Sequence, residues 1–368
     1  MFTVAVAPEF DFLSEEYERL FAQSCATAFQ HPIWLDGVYR KLVPQLKAAP
    51  LIVTVRDAAD GCPVMVLPLV RRRYRGLRTV EFADLEVSDY VMPVASDAMI
   101  EAVAADPFAC RRISAALKPF DLLRIRKLRS PSEAVRKLLG VTDCSEMAVG
   151  AHAVPLGSDF SAWRAENISA ALRKELDKKT RQLHGKGQLE VRCATDAGMI
   201  ETTLLKMREY RRRRFETGDL LQNQIYFDFY LDVATRAYAT LSRFYCVLMD
   251  GVPIAGIMAL SHEGSLLILL TGFDYDGYRS QSLGLLTFEM VTKLGISAGY
   301  RELDFTIGDE PYKALFGAKK SPIYQIVRSG SMSGVLAEAA MEHAPWVKSV
   351  VRRFAGSGSK PVVPAQGS

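Results

Sequence analysis

Two stretches 190 positions apart carry the same turn. Asp60-Gly61-Cys62-Pro63 and Asp250-Gly251-Val252-Pro253 each stand between strand-length apolar runs, "LIVTV" (51–55) and "RFYCVLM" (243–249) before them and "VMVLPL" and "IAGIMAL" after them. Asp-Gly favours a hairpin because tight hairpin turns need residues that tolerate positive φ. The order then continues alike in both places. A third strand follows, "LRTVEF" (77–82) or "SLLILLTGFD" (265–274); then a helix-length segment, 96–117 or 282–299; then one more strand, "DLLRIRKL" (121–128) or "RELDFTI" (301–307). A shared order of five elements around a shared turn predicts a duplicated α/β unit, with the boundary near residue 155.

A chain of 368 residues is long enough for two cores, in keeping with that duplication. Its 49% hydrophobic and 24% charged content is ordinary for a globular protein. A net charge of +4 admits anionic ligands and argues against a nucleic-acid partner. The six cysteines are single and scattered, which predicts reduced thiols in a cytoplasmic protein and no structural zinc; no metal is expected. The five histidines are also dispersed, and no G-x-S-x-G nucleophile elbow occurs. "MFTVAVAPEFDFLSEEYERL" places acids where a secretory signal needs basic and apolar residues. No run reaches the ~18 apolar residues of a membrane span.

The second unit opens with a basic stretch, "SDFSAWRAENISAALRKELDKKTRQLHGKG", expected as one helix capped at Ser158 or Asp159 and ending at Gly185 or Gly187. "QLEVRCA" reads as a strand, "DAGMIETTLLKMREYRRRRF" as a helix ending in Arg211 to Arg214, and 225–241 as another helix. Such basic residues complement a helix C-terminus or hold an anionic substrate; Arg181 is a candidate for the latter. The tail (333–368) predicts an amphipathic helix with Trp346, Val350 and Phe354 on one side, packing on the domain or touching a membrane surface, and then a disordered end.

The chemistry concentrates in two neighbouring stretches. In "GFDYDGYRSQSLGLLTFEMV" (272–291) a strand leaves through Gly272 and Phe273 into a polar loop. Arg279, Gln281, Ser282, Leu283 and Gly284 then lead into an apolar helix. A helix N-terminus presented in this way offers free N–H groups and a positive dipole end to a phosphate. The spacing is neither a P-loop nor a dinucleotide turn. In "DFTIGDEPYKALFG" (304–317), the next strand ends in Asp304 and is followed by Glu310, Tyr312 and Lys313. Asp304 also suits a turn cap, Glu310 a helix start and Lys313 a solvated surface.

Gln281, Gly284 and their strand–loop–helix setting fit most of Gln/Arg-x-x-Gly-x-Gly/Ala, and so resemble the pyrophosphate loop of GNAT acyltransferases; Leu286 departs at the last position and is expected to hinder close approach. The element order from 160 to 330 is similar to the GNAT order with an added helix. The tandem arrangement resembles FemAB-like proteins, particularly acetyltransferases of the CelD/BcsL type, in "LRKELDKKTRQL", "FDYDGYRSQSLGLL" and "LDFTIGDEPYKALFG". The resemblance implies two GNAT-like units of α/β (α+β) class, each a mixed, largely antiparallel sheet flanked by helices. Residues 1–155 would form a degenerate acceptor-side unit and 156–332 the acyltransferase unit.

It further implies acetyl-CoA or another acyl-CoA as co-substrate and an amine acceptor on a small molecule, glycan or lipid-linked intermediate of polysaccharide or cell-envelope synthesis. Direct transfer needs a base for the amine, a donor to the oxyanion and an acid for the leaving thiolate. Asp304 or Glu310 would take the amine proton, Tyr312 would position the acceptor or protonate the thiolate, and Lys313 would stabilise charge. In the first unit, "ADLEVSDYVMPVASD" replaces the phosphate loop, and Asp84, Asp89 and Tyr90 are its acceptor-contact candidates. Two rival readings are a FemX-like transferase using aminoacyl-tRNA and a non-catalytic accessory protein of a polysaccharide synthesis complex. No heptad pattern supports the coiled-coil arm that usually accompanies the first of these.

Overall fold

The computed structural model describes residues 1–214, 218–238 and 240–342. Its strands, in chain order, are β1 (Phe2–Val6), β2 (Ala49–Asp57), β3 (Pro63–Tyr74), β4 (Leu77–Phe82), β5 (Leu122–Leu128), β6 (Ser145–Glu146) and β7 (Ala151–Pro155). The later ones are β8 (Leu189–Cys193), β9 (Ser242–Met249), β10 (Val252–His262), β11 (Ser265–Phe273), β12 (Glu302–Ile307), β13 (Lys319–Ser321) and β14 (Tyr324–Ser329). They form two seven-stranded sheets, β1-β2-β3-β4-β5-β14-β6 and β13-β7-β12-β11-β10-β9-β8. The fold is thus mixed α/β, two largely antiparallel sheets flanked by helices.

Each sheet contains one parallel ladder, at the same place in the repeat: β4 beside β5, and β11 beside β12. The cause is the connection. A helix must cross over between two parallel strands, whereas hairpins keep the other neighbours antiparallel. Asp250 and Gly251 both take positive φ in the β9–β10 turn, as the Asp-Gly pair requires. The sheets also exchange strands. β7 pairs with β12 in the second sheet, and β14 pairs with β5 in the first. A cut at residue 155 would therefore remove a strand from each sheet.

Two expected helices are each broken in two. The 96–117 segment forms helices Asp97–Ala105 and Pro107–Leu117, because Pro107 has no amide hydrogen to continue the ladder and Asp106 caps the second helix through Phe108 and Ala109. The 158–187 segment forms Phe160–Asn167, capped by Asp159, and Ala170–His184, capped by Ser169. The side chains of Trp346, Val350 and Phe354, with the expected tail beyond, lie outside the described residues; the described helix there is Met332–Glu342.

The added helix before the hairpin, Gln224–Arg236, is the strut between the units. Its Phe229 meets the Trp34 ring edge-on at 5.0 Å, and Trp34, Phe29 and Tyr90 share one buried cluster with Phe229, Tyr230, Val233 and Met258. A continuous apolar core across the junction holds the two sheets in one arrangement. Within the second unit, Gly256 and Gly272 pair across β10 and β11 beneath helix Ala197–Arg214. A Cβ on Gly272 would come within 2.7 Å of the Met207 backbone. Gly272→Ala should therefore lower stability by about 1–3 kcal/mol through overpacking, measurable by urea denaturation.

Candidate active site

Between the sheets lies a cavity of about 1120 Å³ with walls from both units. Its second-unit wall exists because β11 and β12 part company. The two strands pair only over Ser265–Leu267 and Glu302–Asp304, although they run on to Phe273 and Ile307. The splay has a local cause in β12. Thr306 takes φ 58°, rare for a β-branched residue, and the register against β7 shifts between Asp304 and Ile307. Ile268, Leu269, Leu270 and Thr271 on one arm, and Phe305, Thr306 and Ile307 on the other, consequently face the opening.

Asp304 holds this bulge. Its carboxylate accepts the Thr306 N–H at 2.7 Å and the Tyr90 hydroxyl at 2.9 and 3.0 Å, and the Arg129 guanidinium stands 3.7 Å away while covering the Tyr90 ring at 4.6 Å. At 1% exposure the carboxyl is pushed up to about 6 by burial, against the pull of Arg129 and its hydrogen bonds. Neither Asp304 nor Tyr90 lines the cavity; they tie the two units together behind its wall.

Three other candidates do line it together. Lys313, in helix Pro311–Leu315, donates to the carbonyls of Thr306 (3.2 Å) and Gly308 (2.9 Å) and pairs with Glu310 at 2.9 Å. Tyr312 stacks on Phe288 with centroids 4.8 Å apart, and burial with the neighbouring Glu310 raises its phenol well above the usual range. From the first unit, Asp84 pairs with Lys127 at 3.2 Å. Asp89 also lines the cavity; burial lifts its carboxyl while Lys127, Thr306 and Lys313 draw it back.

At one end of the opening, helix Leu283–Ser297 begins without a side-chain cap. Ser282 takes a left-handed conformation (φ 50°, ψ 47°), and its hydroxyl accepts from Lys179. Ser282, Gly284, Phe273 and Arg279 face the cavity, whereas Leu283 is packed in the core. Leu286 is also fully buried in that core, so the departure at this position points away from the helix mouth instead of obstructing it. Gln281 is 6% exposed, and its Oε1 has no hydrogen-bond partner. Gly272 packs against Met207, and Arg181 is exposed on its helix with its Nε bonded to the Asp177 carbonyl; both lie outside the cavity wall.

Arg211, Arg213 and Arg214, among the basic residues expected to complement a helix C-terminus or hold an anionic substrate, line the cavity, and strand β5 adds lining residues that the sequence did not single out. The end of the arginine helix reaches the same mouth: Arg211 binds Asp219 and the Thr271 carbonyl, Arg213 pairs with Asp276 at 3.5 Å, and the Arg214 guanidinium lies 4.0 Å over Tyr275. Strand β5 adds Arg124, Arg126 and Lys127 on the opposite wall. The available signal was the alternation of arginine with apolar residues in "LRIRKL", which marks a strand with a polar buried face.

Residues 170–314 match the family model described as acetyltransferase (GNAT) domain. No curated protein sequence matches the chain. Among solved structures, FemX shares 11% identity at a TM-score of 0.59, covering 88% of this chain and 97% of its own. The C-terminal domain of a lysylphosphatidylglycerol synthetase from Agrobacterium fabrum shares 14% identity at 0.54, covering 89% of this chain and 94% of its own. L-PGS from Bacillus licheniformis shares 11% identity at 0.52, covering 90% and 96%. At these identities the likeness is one of fold.

Proposed function

We propose that the protein is an N-acyltransferase that moves an acyl group from acyl-CoA to an amine in the cavity between its units. The observation that carries the reading is the splayed β11–β12 pair running into an uncapped helix N-terminus, within the matched domain. The residues present suit the donor. The first-turn N–H groups and helix dipole favour a pyrophosphate, Arg213, Arg214 and Arg279 supply cations at the same mouth, and the β11 edge offers backbone groups to an amide-bearing arm. An acyl-CoA would bring an activated thioester.

The chain's own groups then divide the work. Asp89 takes the proton of the acceptor amine; burial raises its basicity, and Glu310 is already engaged by Lys313. Lys313, held by two carbonyls, places a fixed positive charge where negative charge develops. Tyr312, kept protonated by burial, donates to the departing sulfur. Asp304 and Tyr90 position this wall and take no part in proton transfer. An acceptor built on a sugar or lipid-linked intermediate accords with the CelD/BcsL resemblance.

Thermal-shift measurements with acetyl-CoA test the donor. Acetyl-CoA at a hundred times its dissociation constant should stabilise the wild type by about 2.7 kcal/mol. Gly284→Glu, which places a carboxylate at the helix mouth, should abolish that shift while leaving the ligand-free melting temperature nearly unchanged, since a Cβ there meets only ordinary contacts at 3.4 Å. Absence of a shift in the wild type, together with stabilisation by aminoacyl-tRNA, would transfer the reading to a tRNA-dependent enzyme.

A further inference from the structure

The cavity has a second built wall, on the first unit, that the transfer chemistry leaves unused. In β3, β4 and β5 the register sets Arg72 opposite Thr79, and the parallel β4–β5 ladder runs through Thr79–Leu122 and Val80–Leu123. Continuing that ladder by one residue brings Glu81 beside Arg124. Side chains alternate along a strand, so Arg72 and Tyr74, Glu81, and Arg124 and Arg126 fall on one face of the sheet. All five line the cavity. Arg124 is 7% exposed, lies 4.7 Å over the Tyr74 ring and stands 3.7 Å from Glu81. Glu81 is 9% exposed, and its Oε1 has no hydrogen-bond partner.

Ordinary packing does not call for such a wall. Sheet faces in a core are apolar, and a buried carboxylate oxygen normally finds a donor. Burial, and after it repulsion from Arg124, lower the basicity of Arg126, while Glu81 is raised by burial and by Asp84. Neighbouring guanidinium groups suit the oxygens of a phosphate, which can accept from several donors at once. The Glu81 Oε1, ion-paired with Arg124 at 3.7 Å but without a hydrogen bond, suits a ligand O–H or N–H beside that phosphate. We propose that the Arg72–Arg124–Arg126–Glu81 face is a subsite for a phosphate bearing an adjacent hydroxyl-rich group, so that the acceptor amine belongs to a sugar or polyol phosphate. The assignment of the bound molecule as acceptor rests on the acyltransferase reading; the subsite itself does not.

Calorimetric titration of the full chain separates the two. Glucosamine 6-phosphate should bind the wild type, and unphosphorylated glucosamine should bind at least about tenfold more weakly, the loss of one charge-assisted pairing. Arg124→Gln with Arg126→Gln should weaken glucosamine 6-phosphate by at least about tenfold and leave CoA binding unchanged. Arg72→Gln, at a half-buried position, should act in the same direction if the buried pair fails to fold. Glu81→Ala should weaken glucosamine 6-phosphate more than methyl phosphate, which carries neither hydroxyls nor an amine beside its phosphate. Competition by phosphatidylethanolamine–phosphatidylglycerol vesicles would assign the phosphate to a lipid headgroup, and its absence to a soluble sugar phosphate. Equal binding of phosphorylated and unphosphorylated probes, or binding indifferent to all three arginines, overturns the subsite. Loss of CoA binding alone overturns only the acyltransferase reading.

Discussion

Replacing Lys313 with methionine should lower turnover by about 10²–10³-fold with little change in the affinity for acyl-CoA, the pattern expected when a donor to developing charge is removed. The ammonium is fixed by the Thr306 and Gly308 carbonyls and by Glu310, so little reorganisation is needed when negative charge appears. The substitution also strips Glu310 of its partner in a buried setting, which costs about 3–5 kcal/mol when a buried pair is broken. Lys313→Met combined with Glu310→Gln removes that stranded charge. The double variant should recover stability in urea and remain slow in CoA release with an amine acceptor. Recovery of turnover along with stability would reduce Lys313 to a structural role.

Asp304 should behave in the opposite way, large in stability and small in catalysis. Asp304→Ala leaves the buried Tyr90 hydroxyl and the Thr306 amide without their acceptor and should cost about 2–4 kcal/mol. Asp304→Asn keeps an acceptor oxygen, and its turnover should fall by less than about tenfold, whereas loss of a general base costs 10²-fold or more. The pH dependence carries a sign. The folded carboxyl titrates at about 6, above the unfolded value of about 4, so between those values the folded state holds a proton that the unfolded chain has released. Stability of the wild type relative to Asp304→Asn should therefore fall as pH rises from about 4 to about 6, by up to about 3 kcal/mol. A flat difference across that window would mean that the carboxyl is not held as the geometry requires.

Much of the fold was legible because it is encoded locally. The Asp-Gly turns, strand lengths and apolar runs prescribe two hairpins, and the helix after each third strand prescribes one parallel ladder per sheet. The two helix breaks were also written locally, in Asp106-Pro107 and in Ile168-Ser169, but apolar periodicity on both sides concealed them. The candidate site was legible in part. Gln281 to Gly284 and Tyr312-Lys313 carry recognisable spacing. Asp304 was not readable as a positioning group, because its partner Tyr90 is 214 residues away.

The sequence alone determined the repeated units, the exposed helix mouth in the second of them, and the run of polar residues after β12. Those features depend on turns, caps and periodicity, which act over a few residues. The tertiary structure alone decided that β7 and β14 are exchanged between the sheets, that Leu286 faces the core, and that β5 arginines meet the arginine helix across one cavity. These depend on which faces are buried against each other, and burial is set by packing between segments far apart in the chain.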